Sequence, residues 1–237
     1  AGHSHDEAAA AHTHGAATAS AAAAAPHSHA ASAASVSAAS QARADKLLGD
    51  TNRYLPKWAD YHAAEADGFV SIGDAMTGFE HFVNADNSAT PKTLDAKHPE
   101  SLVYTVNRDG TKKLASAMYI SEAGTNINDV PDVGGHPWHI HDNLCWDPTG
   151  TRLAGISVNG HCIPGGTLGI TAPMIHVWVV PNACGQFADL ENSASVRGDL
   201  ARRGGAVSAG LAKGFGADGA ATNPDGTPNC SHTHAKT

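Results

Sequence analysis

The hydrophobic pattern changes character along this chain. From about residue 41, Leu47, Thr51, Tyr54, Leu55, Trp58, Tyr61, His62 and Glu65 recur at steps of three and four. That period predicts an amphipathic helix. Pro56 has no amide donor, so it should kink the helix or start a second one. Asp67-Gly68 then ends the segment, with Gly68 suited to the residue just past a helix C-terminus. Beyond Gly68 the texture is that of strands. Ser101–Val106 reads as one strand, Asn107-Arg108-Asp109-Gly110 as a hairpin turn, and Leu114–Ile120 as the return strand. Trp138–Trp146, Arg152–Val158 and Met174–Val180 read as three more, joined by connectors rich in Gly, Pro, Asn and Asp. The expected fold is mainly β, a small cupin-like barrel or sandwich, with an N-terminal amphipathic helix.

The two ends of the chain lack such a pattern. Residues 1–40 are Ala, Ser, Thr, Gly and His with few large side chains, so little can offset the entropy of ordering them. Residues 191–229 are dominated by Gly, Ala, Asn and Asp. The expected organisation is a disordered leader over 1–40, a helix plus β-rich domain over 41–190, and a mostly irregular tail over 191–237.

Apolar residues make up 41% of the chain, but much of the leader's share is alanine and aromatics reach only 5%, so the core must come from the middle. Fifteen basic residues against 23 acidic ones give a formal charge of −8. That balance argues against nucleic acid, which needs a basic face. No apolar stretch approaches the roughly 20 residues of a membrane span. The start Ala1-Gly2-His3 resembles what signal peptidase leaves behind, and leads us to expect an exported chain, secreted or in the cell envelope. The four cysteines, Cys145, Cys162, Cys184 and Cys230, have no C-x-x-C spacing. An even number of dispersed cysteines reads as two disulfides in an oxidising compartment. The expected pairs are Cys145–Cys162, closing a short loop, and Cys184–Cys230, tying down the tail.

Histidine is where the chemistry concentrates. In Trp138-His139-Ile140-His141, strand alternation puts His139 and His141 on one face. His176, in Met174-Ile175-His176-Val177-Trp178, is the candidate third ligand, because a mid-strand imidazole needs a polar partner. His81, in Phe79-Glu80-His81-Phe82, is the candidate fourth, with Glu80 a ligand or an acceptor that fixes a histidine tautomer. His136 and His161, in Gly-rich turns, read as surface residues. His62, on the helix stripe, reads as a core or interface residue, and His98 as a residue without a role. Imidazoles without a thiolate suit Zn²⁺, Cu²⁺, Ni²⁺ or Fe²⁺. The tails favour copper or zinc. They carry four H-x-H pairs, the composition of loose metal capture: His3 with His5, His12 with His14, His27 with His29, and His232 with His234. A free amine at Ala1, two amides and His3 would also form a square-planar nitrogen site.

The H-x-H on a strand with a later strand histidine resembles a cupin metal site. Here Asp142-Asn143-Leu144-Cys145-Trp146 supplies no glutamate after the H-x-H, so the resemblance implies architecture and not catalytic residues. The runs Glu65-Ala66-Asp67-Gly68, Trp138 to Cys145, Pro173 to Trp178 and Cys184-Gly185-Gln186-Phe187 are similar to an extracytoplasmic domain of actinobacterial-type envelope proteins. That likeness implies export and the domain's limits, and no activity.

Three functions follow. The first is an exported protein that captures, buffers or delivers copper or zinc. The second is a mononuclear His-ligated metalloenzyme, with Glu80 and Asp142 as the acidic groups at hand. The third is a structural protein with an envelope partner. There is no G-x-S-x-G elbow, and no P-loop or G-x-G-x-x-G follows a strand, so serine catalysis and nucleotide binding have no support.

Overall fold

The computed structural model describes residues 36–188, apart from 76–77, 90–91, 137, 158–159, 163–164 and 183. Helix α1 (Ala38–Tyr54) opens at Ser37, whose side chain accepts the Ser40 amide. A 3-10 turn (Leu55–Trp58) begins where Pro56 denies an amide to a continuing α-helix. A second cap, Asp60, accepts the His62 amide and starts α2 (Tyr61–Ala66). Gly68, at φ 88°, takes the left-handed position after it. The predicted helix is thus two helices joined by a tight turn.

Five antiparallel strands form the main sheet, in the order β1 (Phe69–Ser71), β2 (Phe79–Asn84), β3 (Ser101–Val106), β4 (Lys112–Ile120) and β8 (Met174–Trp178). A short helix α3 (Ala85–Ala89) follows β2. A smaller sheet holds β5 (Leu144–Trp146) between β6 (Leu153–Ile156) and β7 (Thr167–Gly169). The fold is mainly β, as the alternation pattern predicts. The main sheet is open, with β1 at one edge, and does not close into a barrel. One expected strand is corrected: within Trp138–Trp146 only a single bridge, His139 to Met174, and the short β5 are extended and paired. The runs predicted at 152–158 and 174–180 are likewise shorter, at Leu153–Ile156 and Met174–Trp178.

Both faces of the main sheet are covered. On one face α1 and the following turns pack Ala44, Leu47, Leu55 and Trp58 against Phe82, Leu102, Tyr104, Ala117, Tyr119, Ile175 and Val177. Two hydroxyls fasten this layer. Tyr104 donates to the Trp58 carbonyl at 2.6 Å, and Tyr119 and Thr51 hydroxyls meet at 2.6 Å. Thr51 gives its own proton to the Leu47 carbonyl, so Tyr119 is the donor to Thr51. The other face carries Phe79, Val103, Ala115, Met118, Met174 and Trp178.

That second face is strongly curled. Strands β2 and β8 are separated by β3 and β4. In a flat sheet, three strand spacings would hold their side chains about 14 Å apart. Instead the rings of Phe79 and Trp178 lie 5.8 Å apart, edge to face. Twist and the bulge between Val103 and Tyr104 bend the sheet until β2 faces β8 across a concave, side-chain-filled interior.

The smaller sheet is stapled by a Cys145–Cys162 disulfide, with Cα atoms 5.6 Å apart. Cys184 is also disulfide-bonded, and no described cysteine is free. Cys230, its expected partner, lies outside the described residues.

Candidate functional site: a histidine cluster in the concave face

Four histidines line the concave face and its open edge. His176 comes from β8, where strand alternation aims it to the same side as Met174 and Trp178. His81 comes from β2, opposite Val103 of β3 and on the face of Phe79. His139 and His141 come from the segment running alongside β8. His139 exchanges both backbone hydrogen bonds with Met174, at 3.0 and 2.8 Å. The His141 amide donates to the Thr171 hydroxyl, and its carbonyl accepts the Thr171 amide. These bonds extend the sheet by one irregular strand, which places two imidazoles beside β8.

The rings approach one another closely. Centroids are 5.1 Å apart for His139 and His176, 5.3 Å for His139 and His141, and 6.4 Å for His81 and His176. Two imidazoles bound to one ion through bonds of about 2.0–2.1 Å, at angles of about 90–120°, have ring centres roughly 4.5–5.5 Å apart. The first two pairs fall in that span, and the third, at 6.4 Å, lies outside it. Among the described residues, no three His, Cys, Asp or Glu side chains form a metal-ready group as they stand. The rings are neighbours, and their nitrogens are not yet aimed at one point.

His139 and His176 are buried, at 0% and 3% exposure. Neither ring nitrogen of His176 has a hydrogen-bond partner among the described residues. Burial, reinforced by the nearby His81 and His141, holds the His176 pKa well below the usual histidine range. It is therefore a neutral imidazole, the form that binds a metal.

His81 is held from behind. Asp74, in the β1–β2 loop and 4% exposed, accepts the His81 amide at 2.9 Å and contacts its Nδ1 at 2.5 Å. A carboxylate there favours the tautomer with the proton on Nδ1. No local pattern marks Asp74, which lies seven residues upstream in a loop. Glu80 is on the opposite face of β2. Its carboxylate accepts the Ser71 hydroxyl and forms an ion pair with Lys112 at 3.3 Å. The acceptor behind His81 is therefore Asp74, and Glu80 serves the helix-covered face.

The other histidines of the domain are dispersed. His62 is corrected to an exposed residue of α2, paired with Glu65 at 2.9 Å. The helix turns the ring outward because Tyr61 takes the inward position against Phe82. His136 is half-buried and stacked on Phe187 at 4.2 Å, with burial lowering its pKa. It is thus not a free surface residue. His161 is exposed, and His98 bonds Asp95 at 2.8 Å.

The expected secondary metal ligands of the tails do not enter this geometry. His3, His5, His12, His14, His27 and His29 of the leader lie outside the described residues, as do His232 and His234 at the far end. The candidate site therefore rests on the four histidines of the domain, and the tail pairs stand on sequence pattern alone.

No family model matches this chain, and neither the curated proteins nor the solved structures contain a significant match to it.

Proposed function

We propose that this protein binds one divalent transition-metal ion through His139, His141 and His176, with His81 as fourth ligand and Asp74 orienting it. In this reading it captures, buffers or delivers copper or zinc outside the cytoplasm. One observation carries the proposal. The buried, neutral His176 has no hydrogen-bond partner among the described residues, yet lies 5.1 Å from one imidazole and 6.4 Å from another. Burying an unsatisfied polar ring costs roughly 1–3 kcal/mol. A cation shared by the rings would recover that cost, and small ring rotations would bring the nitrogens to it. The Cys145–Cys162 disulfide supports an oxidising compartment, and no described helix is long and apolar enough to cross a membrane.

Binding is favoured over metal-dependent catalysis by the placement of the acidic groups. Glu80 faces the helices, Asp142 is exposed, and Asp74, the one carboxylate described at the cluster, is engaged by the His81 amide and Nδ1.

The test is thermal denaturation with and without Zn²⁺ or Cu²⁺. A site present only in the folded state raises the melting temperature by mass action. The rise should vanish in His139→Ala, His141→Ala and His176→Ala, each compared with its own metal-free form. Asp74→Asn should weaken binding by about 10–100-fold without abolishing it. A metal-induced rise that survives all three alanine variants would overturn the proposal.

A further inference from the structure

The concave face holds sulfur as well as nitrogen. The chain has three methionines, and two of them, Met118 and Met174, are on this face, 6% and 3% exposed. Their positions are not scattered. Met118 is the cross-strand partner of His176 in the β4–β8 pairing. Met174 is the partner of His139 across the isolated bridge. In an antiparallel pair, directly opposed side chains project from the same face with Cβ atoms about 4.5–5.5 Å apart. Each of the two buried histidines therefore has a buried thioether as its direct neighbour. Met174 is also two residues from His176, so alternation sets it on the same side.

From this we infer that the site prefers Cu(I) to Zn²⁺, with Met118 and Met174 supplying thioether donors beside His139 and His176. The inference rests on the metal-binding reading above. Imidazole suits zinc, copper, nickel and iron alike, whereas a thioether is a soft donor that selects Cu(I) and contributes little to Zn²⁺. Charge points the same way. Imidazole and thioether are both neutral donors, so a monovalent ion enters this buried face with less charge to desolvate than a divalent one. The described cysteines are in disulfides and supply no thiolate that would favour zinc. Leucine or isoleucine would fill the same apolar volume, and neither would offer a donor atom.

The experiment compares the full-length protein with Met118→Leu/Met174→Leu and with His139→Ala/His176→Ala. Cu(I) affinity is read by competition with a chromophoric Cu(I) chelator under ascorbate, and Zn²⁺ affinity by competition with a zinc chelator. Met-to-Leu exchange nearly conserves volume, and a melting curve of the metal-free variant verifies its fold. The methionine variant should lose about tenfold or more in Cu(I) affinity and keep Zn²⁺ affinity within about twofold. X-ray absorption of the Cu(I)-loaded parent, which does not depend on any variant folding, should show sulfur scatterers beside nitrogen ones. An all-nitrogen Cu(I) shell, or equal Cu(I) affinity in parent and methionine variant, overturns the copper inference while leaving the metal site standing. Unchanged tight binding of both metals in the histidine variant overturns the metal site itself, and the copper inference with it.

Discussion

At the scale of single residues, the most consequential side chain outside the histidine cluster is Glu100. It is 1% exposed, its Oε2 accepts the Ile120 amide at 2.9 Å, and its Oε1 has no hydrogen-bond partner among the described residues. Burial raises its pKa to about 7. A carboxyl whose folded pKa exceeds its unfolded one is stabilising while protonated. Its contribution is full below the unfolded value, near 4.5, and is lost as pH rises through about 7. The shift corresponds to roughly 3 kcal/mol. His176 acts in the opposite sense. Its depressed pKa makes the unfolded chain the better proton acceptor, so stability falls as pH drops below the ordinary histidine value. The two effects overlap, and a variant separates them. Glu100→Gln keeps an acceptor for Ile120 and removes the charge. Its stability advantage over the parent should be small at about pH 4 and grow to roughly 2–3 kcal/mol by about pH 8. Urea denaturation across that range checks it, and a constant difference would refute the assignment. Glu100 was not legible in the sequence, because its burial comes from distant chain segments packed around it.

At the scale of elements, the smaller sheet depends on a covalent tie. Its three strands have three, four and three residues, too little ladder to stand alone. The Cys145–Cys162 bond joins residues 17 apart, and chain entropy gives about 3 kcal/mol for a loop of that size. Cys145→Ser/Cys162→Ser should lower stability by about that amount in chemical denaturation. The loss should appear first as hydrogen exchange in β5–β7, ahead of the main sheet. Strands β5 and β7 also meet closely. A Cβ at Gly169 would stand 2.6 Å from Trp146 Cδ1, so the residue beside this ring has no room to grow. At this scale the sequence was informative where periodicity was long. The β3–β4 hairpin is legible because two alternating runs flank Asp109-Gly110, and Gly110 takes the left-handed φ of 84° that the turn demands. Strand β1 and strand β7 were not, since three residues carry no period. The region from Trp138 to Trp146 misled for a related reason. It has the apolar and aromatic content of a strand, but its ladder is limited to the His139 bridge, isolated backbone bonds at His141 and Asn143, and the last three residues.

At the scale of the whole molecule, the curl of the main sheet decides whether the histidines meet. Phe79 and Trp178, 5.8 Å apart, are the apolar contact that holds β2 over β8, one alternation step from His81 and His176. Phe79→Ala should destabilise by about 3–5 kcal/mol, as truncation of a buried aromatic does. Phe82→Ala, on the helix-covered face of the same strand, should cost a similar amount. The two should differ in metal binding. Phe79→Ala should weaken it, because β2 is released from β8 and His81 moves away from His176, while Phe82→Ala should leave it nearly unchanged. Equal loss in both, measured below each variant's melting temperature, would mean the curl is not what assembles the cluster.

What the chain determines by itself is local. Its helix start, the Pro56 break, the Gly68 stop and the long strands follow from capping, missing donors and side-chain period, all of which act within a few residues. The nearness of His139 and His141, whose rings lie 5.3 Å apart, follows from their being two residues apart. The meeting of His81 with His176 does not, since 94 residues and two intervening strands separate them, and a flat sheet of the same sequence pattern would keep them about 14 Å apart. Nor does the choice of carboxylate behind His81. Period-two geometry turns Glu80 to the helices and leaves the place to Asp74, brought there by a loop. Non-local burial and sheet curvature are properties of the closed core, and only the tertiary structure holds them.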